Sequence, residues 1–101
     1  MGLDVHGIRV PIQPHEVSPE IWSALQSGRY EANEAQKVRR VIQPNDMVLE
    51  LGTGLGVVTS IIASVDGVRV WSFEADPITA QLAQRVIDAN CDDNVMLTNG
   101  I

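Results

Sequence analysis

The stretch VLELGTGLGVVTS, Val48 to Ser60, constrains the fold more than any other part of the chain. An apolar run ends in Glu50 and Leu51. Glycines then stand at alternate positions (Gly52, Gly54, Gly56), and apolar residues resume with helical spacing. Glycines at that density let the backbone turn sharply and approach a neighbour with no Cβ in the way. A strand, a glycine turn and a helix in succession open a strand–helix–strand unit. Open α/β sheets bind their ligands at such turns, at the carboxyl ends of the strands.

The flanking sequence completes the unit. Met47 to Leu51 is almost continuously apolar, which predicts a strand buried on both faces. Val57, Val58, Ile61, Ile62 and Val65 suit a helix packed on a sheet. After an Asp66-Gly67 turn, Val68 to Phe73 reads as a second buried strand. Asp76-Pro77 is a cap followed by proline, a helix start, with Ile78, Leu82 and Val86 along one face. Asn90 to Asn94 is a polar turn, and Val95, Met96 and Leu97 begin a third strand. Helical connections of this length join parallel strands by right-handed crossovers. The expected fold class for residues 47–101 is therefore α/β: a Rossmann-like, partial doubly wound parallel sheet of three strands with crossover helices.

Residues 1–46 read as a separate arm and helical segment. Pro11 and Pro14 interrupt the arm, which is extended or forms a short edge strand around Ile8 to Ile12. Ser18-Pro19-Glu20 starts a short helix that Gly28 ends. A second helix covers Glu31 to Ile42, with Ala35, Val38 and Ile42 on one stripe, and Pro44-Asn45-Asp46 stops it. Trp22 and Trp71 are expected in the core.

Composition narrows the partners. A formal net charge of -6 gives little electrostatic pull toward nucleic acid or an anionic membrane. Cys91 is the only cysteine, so the chain offers neither an intrachain disulfide nor a thiolate metal cluster, and a cytoplasmic location is the natural reading. His6 and His15 have no partner at metal-ligand spacing. The start, MGLDVHGIRVPI, lacks the features of a signal peptide, and no apolar run reaches the roughly 20 residues that span a bilayer.

Two ligand classes compete for the glycine turn. A dinucleotide site needs G-x-G-x-x-G, and counting from Gly52 and Gly54 the third glycine falls on Val57, so that match fails. The pattern present is E-x-G-x-G-x-G through Glu50, Gly52, Gly54 and Gly56, followed by Glu74 at the end of the second strand. A carboxylate at Glu74 is placed to accept hydrogen bonds from ribose hydroxyls. This combination resembles motif I of class I S-adenosylmethionine (SAM) dependent methyltransferases. The longer run YEANEAQKVRRVIQPNDMVLELGTGLGVVTS, with FEADP beyond it, resembles the FkbM-type members. Their Tyr-Glu, second Glu and P-G-D turn correspond to Tyr30, Glu31, Glu34, Pro44, Asn45 and Asp46, with Asn45 in the glycine's place.

The resemblance, from about Tyr30 onward, implies SAM as cofactor. It implies that Gly52, Thr53, Gly54 and Gly56 contact the methionine end, that Glu50 helps hold the ammonium, and that Glu74 binds the ribose. Ala75 and Asp76 would lie beside the adenine and Asn99 near its edge, while Glu31 or Glu34 would either close over the cofactor or form a solvated helix face. It also implies that the acceptor pocket and the catalytic groups come after the third strand, so no catalytic residue is assigned.

Three readings follow. The first is the cofactor half of an O-methyltransferase acting on a small-molecule acceptor, inactive as these residues alone. The second is a SAM-binding or regulatory half-domain that works with a partner. The third is a dinucleotide-binding domain of an oxidoreductase. In each, the first strand is expected to have a free edge, which either self-associates or is covered by Ile8 to Ile12.

Overall fold

The computed structural model describes residues 2–100. Its centre is a parallel three-stranded sheet in the order β3 (Met47–Leu51), β4 (Arg69–Glu74), β5 (Val95–Asn99). Helix α3 (Val57–Ala63) connects the first pair and α4 (Pro77–Asn90) the second. Strand order follows chain order, so both crossovers lie on the same face of the sheet. In register, Val48, Val70 and Val95 line up across that face, as do Glu50, Ser72 and Leu97. Val58 and Ile62 of α3 pack on the valines, with Val38 and Ile42 closing the β3 side.

The opposite face is open. Met47, Leu49 and Leu51 are 75%, 66% and 75% exposed, and Met96 is exposed beyond them. Double burial of Met47 to Leu51 is thus a correction to the sequence reading: an apolar run reports what a strand can bury, whereas the crossovers put both helices on one side. Trp71 shares the open face and is only half-buried.

The helix boundaries follow from local chemistry. Pro19–Ser27 forms α1, where Ser18 Oγ accepts the Ile21 N–H at 3.1 Å and Gly28 closes the end at φ 75°. Ala32–Val41 forms α2. The turn after it needs a left-handed residue, and Asn45 takes φ 69°, which Asn tolerates better than most side chains. At α4, Asp76 Oδ2 accepts the Thr79 N–H at 2.8 Å with Pro77 at the first helical position.

The arm forms a β-hairpin, β1 (Leu3–Val5) antiparallel to β2 (Ile8–Val10), and does not lie along β3. His6 and Gly7 make its two-residue turn at φ 53° and 83°. Val5, Val10 and Ile12 are buried with Leu25 of α1 against Val57, Ile61, Leu82 and Val86. The hairpin and α1 therefore form a third layer, on the side of α3 and α4 away from the sheet. Burying each such side chain contributes about 1.5–3 kcal/mol, which rewards covering the helices over pairing one strand edge. Polar ties fix the layer: Asn90 Nδ2 donates to the Arg9 carbonyl at 2.7 Å and Arg85 pairs with Glu16 at 2.9 Å. Among the described residues no helix is long and apolar enough to cross a membrane.

Candidate functional site

The turn from β3 into α3 holds all three loop glycines at positive φ: 89° at Gly52, 57° at Gly54 and 83° at Gly56. Each has a different neighbour. A Cβ on Gly56 would stand 3.1 Å from the Ala83 carbonyl oxygen, so this glycine lets α3 pack on α4. A Cβ on Gly54 would stand 3.1 Å from Tyr30 Oη and 3.6 Å from Glu31 Oε2. A Cβ on Gly52 would meet nothing within 4 Å. Of the three, Gly52 is the one whose free side opens outward.

The loop amides are all engaged within the chain. Gly52 and Thr53 N–H donate to the Phe73 carbonyl at 2.8 and 3.2 Å, and Gly56 N–H donates to the Thr53 carbonyl at 3.1 Å. Gly54 N–H donates to Glu74 Oε1 at 2.8 Å, and Leu55 N–H donates to Tyr30 Oη at 3.3 Å. A phosphate cradle works by leaving such amides free. This loop instead has the carboxylates of Glu74 and Glu31 beside Gly54.

Two carboxylates bracket the loop. Glu74 ends β4 and accepts Gly54 N–H on Oε1 and Asp76 N–H, at 3.1 Å, on Oε2. A carboxylate has about four lone-pair positions, so each oxygen keeps one for a hydroxyl donor. Glu50 is half-buried beneath the loop. Its Oε1 accepts Thr59 Oγ1 at 2.5 Å and Ser72 Oγ at 2.6 Å. Thr53 Oγ1 lies 2.6 Å from Ser72 Oγ, so a buried hydroxyl chain ties the loop to β4. Burial pushes the Glu50 carboxyl above its ordinary range, against the lowering pull of the Ser72 and Thr59 hydrogen bonds. Glu31, half-buried at φ 47°, is pushed up to about 7, first by burial and then by the charges of Glu34 and Glu50.

The structure thus brings Glu50, Gly52, Thr53, Gly54 and Glu74 together around the loop. The Thr53 side chain points inward, 1% exposed. Gly56 is buried against α4. Asp76 is exposed and spends Oδ2 on the Thr79 N–H and hydroxyl, which lower its pKa. Asn99 Nδ2 donates to the carbonyls of Glu74 and Ala75, at 2.8 and 3.1 Å, and so pins the turn after β4. A hollow of about 230 Å³ beside Asn99 is lined by Pro77, Ala80, Gln81, Gln84 and Leu97. A larger cavity of about 610 Å³ lies at the opposite end of the sheet, around Asp66, Arg69 and Asp92, away from these residues.

Sequence reasoning missed Ser72 and Thr59 as partners of Glu50, and gave Tyr30 no role of its own. Ser72 carried a usable signal: it is a polar residue inside the apolar strand Val70 to Phe73. Glu34 is exposed on α2, close enough to Glu31 for its charge to raise that carboxyl.

No protein-family model matches the chain. An uncharacterized protein of Methanocaldococcus jannaschii, MJ1452, is 33% identical over 63 residues, which are 62% of this chain and 24% of that protein. Among solved structures, Pyrococcus horikoshii TYW2 in complex with MeSAdo superposes with a TM-score of 0.68 at 22% identity, covering 92% of this chain and 33% of that one. An O-methyltransferase from Bacillus cereus, in complex with S-adenosylhomocysteine (SAH), gives a TM-score of 0.60 at 26% identity over 88% of this chain and 37% of that one. The chain therefore spans about a quarter of the curated relative and about a third of each matched structure. Its three-stranded parallel sheet, with the helices on one face, is the Rossmann-like fold of SAM-dependent methyltransferases.

Proposed function

We propose that this chain is the SAM-binding portion of a methyltransferase of the FkbM type, and that the complete catalyst methylates a hydroxyl of a small-molecule acceptor. The observation that carries the reading is the junction of Glu74 with the glycine loop. One carboxylate holds Gly54 N–H and keeps acceptor positions for hydroxyls, beside a glycine whose free side is open. The loop's engaged amides and the nearby Glu31 and Glu50 disfavour a pyrophosphate and suit a ligand with cationic centres. The structures of related fold that hold SAH and MeSAdo support the same assignment.

In this reading Gly52, Thr53, Gly54 and Gly56 form the floor at the methionine end, and Glu50 faces its ammonium. Glu74 takes the ribose hydroxyls, and Ala75, Asp76 and Asn99 flank the adenine. When bound, the cofactor supplies an electrophilic methyl group. The described residues bind and orient it. We assign them no role in activating the acceptor, and we expect no transfer by these residues alone. The open sheet face around Leu49 supports a further part of the proposal, self-association through β3, whose outer edge has no strand partner among the described residues.

The test is an NMR titration with SAH and, separately, with NAD. SAH should move the amide signals of Gly52 to Gly56 and Glu74, and Glu74→Ala should abolish the response. A stronger response to NAD at those amides would overturn the reading.

A further inference from the structure

We propose that Tyr30 is a positioning residue for the amino-acid end of the cofactor, acting through the Leu55 amide to fix the shape of the glycine loop. The inference rests on the SAM-binding reading and goes beyond it, since Tyr30 lies outside the strand–turn–helix unit that carries the glycine motif.

Three observations converge on it. The Tyr30 hydroxyl accepts the Leu55 N–H at 3.3 Å; among the described residues, the other amides from Gly52 to Gly56 bond to β4 or within the loop itself. The same hydroxyl lies on the side of Gly54 where a Cβ would stand 3.1 Å from it, so Tyr30 adds a close neighbour to a position that its φ of 57° already suits to glycine. The backbone of Tyr30 is itself held at both polar groups. Its N–H donates to the Ala24 carbonyl at 3.1 Å, and its carbonyl accepts from His6 Nε2 at 2.7 Å. His6 is in turn gripped by Arg39, whose Nη2 donates to the His6 carbonyl at 2.6 Å. The ring is therefore aimed by the hairpin turn, by α1 and by α2, and its one polar atom ends on the loop. Burial, with the Glu31 charge beside it, holds the phenol pKa up at about 12, so the hydroxyl stays neutral and accepts the amide while keeping its own proton. Loss of the Tyr30 contact frees the Leu55 amide, whereas Gly54 N–H keeps its own bond to Glu74 Oε1, so the floor under the amino-acid end loses a support and the ribose carboxylate keeps its contact with the loop.

The test compares SAH with adenosine, which has the nucleoside and lacks the amino-acid end, on wild type and on Tyr30→Phe, which keeps the ring. By calorimetry, Tyr30→Phe should weaken SAH about five-fold and leave adenosine unchanged, the size expected for one hydrogen bond. In the ligand-free protein the Leu55 amide should exchange about five-fold faster with solvent. Equal losses for both ligands, no loss for SAH, or an unaltered Leu55 amide would each overturn the positioning role. A wild-type protein that binds neither ligand would overturn the SAM-binding reading itself, while the Leu55 exchange would still report whether Tyr30 holds the loop.

Discussion

Replacing Glu31 by Gln separates its charge from its shape. In the folded protein this carboxyl is pushed from an ordinary 4.5 to about 7, by burial first and by Glu34 and Glu50 second. At about 1.36 kcal/mol per unit, the full difference is about 3.4 kcal/mol. The group is only half-buried, and water screening reduces this to about 1–2 kcal/mol. The sign follows from proton counting. Between 4.5 and about 7 the folded state binds the proton more tightly than the unfolded state does, so stability is highest below that window and falls as pH rises through it. Glu50 is raised too, chiefly by burial, and this burial contribution is common to both proteins; its repulsion with Glu31 is lost in Glu31→Gln and forms part of the difference measured. Wild type should therefore lose about 1–2 kcal/mol relative to Glu31→Gln between about pH 5 and about pH 8. For a domain of this size that is about 5–15 °C in the difference of melting temperatures. Melting curves by circular dichroism, at constant ionic strength across that range, measure it directly. Parallel melting-temperature profiles for the two proteins would refute the claim that Glu31 is held in an unfavourable charged state. A cationic amino group bound beside Glu31 stabilises the ionised form, so SAM should bind more tightly as pH rises through the same window.

The other expectations separate binding from folding. Gly56→Ala places a methyl 3.1 Å from the Ala83 carbonyl oxygen at φ 83°, so it should cost about 2–4 kcal/mol by urea denaturation; a loss under about 0.5 kcal/mol would show that α3 and α4 yield easily. Gly52→Ala meets no neighbour and carries only the left-handed cost of about 1–2 kcal/mol, yet it should remove most SAH affinity by calorimetry, and retained affinity would move the cofactor off the loop. Glu74→Gln should weaken SAH and adenosine together by about ten-fold, and an effect on SAH alone would contradict the ribose assignment. Asp76→Ala should cost about 1 kcal/mol of stability through the lost α4 cap; an unchanged denaturation midpoint would show the cap to be idle. Sedimentation should show concentration-dependent association that Leu49→Lys suppresses, and a wild-type monomer at every concentration would remove β3 as an interface.

What the sequence could reveal here was what short-range chemistry determines. Asp76-Pro77 and Ser18-Pro19 mark helix starts through the cap and the fixed proline φ, and both helices begin there. The three strands of the parallel sheet lie where the apolar runs put them, within a residue at β4. The open face was not legible in the same way. An apolar run looks the same whether one face or both are covered, and the answer depends on the side to which the crossovers return. The Glu50–Ser72 contact depends on register. A slip of a single residue would turn Ser72 to the open face and leave the half-buried Glu50 without one of its two hydroxyl donors.

The hairpin is written in the sequence as a local pattern finer than an extended arm. LDV and IRV alternate apolar and polar residues on either side of His6-Gly7, a two-residue connection ending in glycine. Such a turn needs positive φ at both central residues, and His6 accepts 53° despite its Cβ. That conformation brings the His6 ring within 2.7 Å of the Tyr30 carbonyl and its own carbonyl to the Arg39 guanidinium. No periodicity argument links position 6 to position 30, because the contact exists only once the hairpin has folded over α3 and α4. The residues nearest the glycine motif in sequence build the loop's frame. The residue that touches it from outside that frame is positioned by a turn 48 residues away from Gly54. On this account His6→Ala should loosen the Leu55 amide in the same direction as Tyr30→Phe and by less, since it removes one of the two backbone anchors of Tyr30 and leaves the Ala24 carbonyl in place. Amide exchange that responds to Tyr30→Phe and not at all to His6→Ala would confine the coupling to α1.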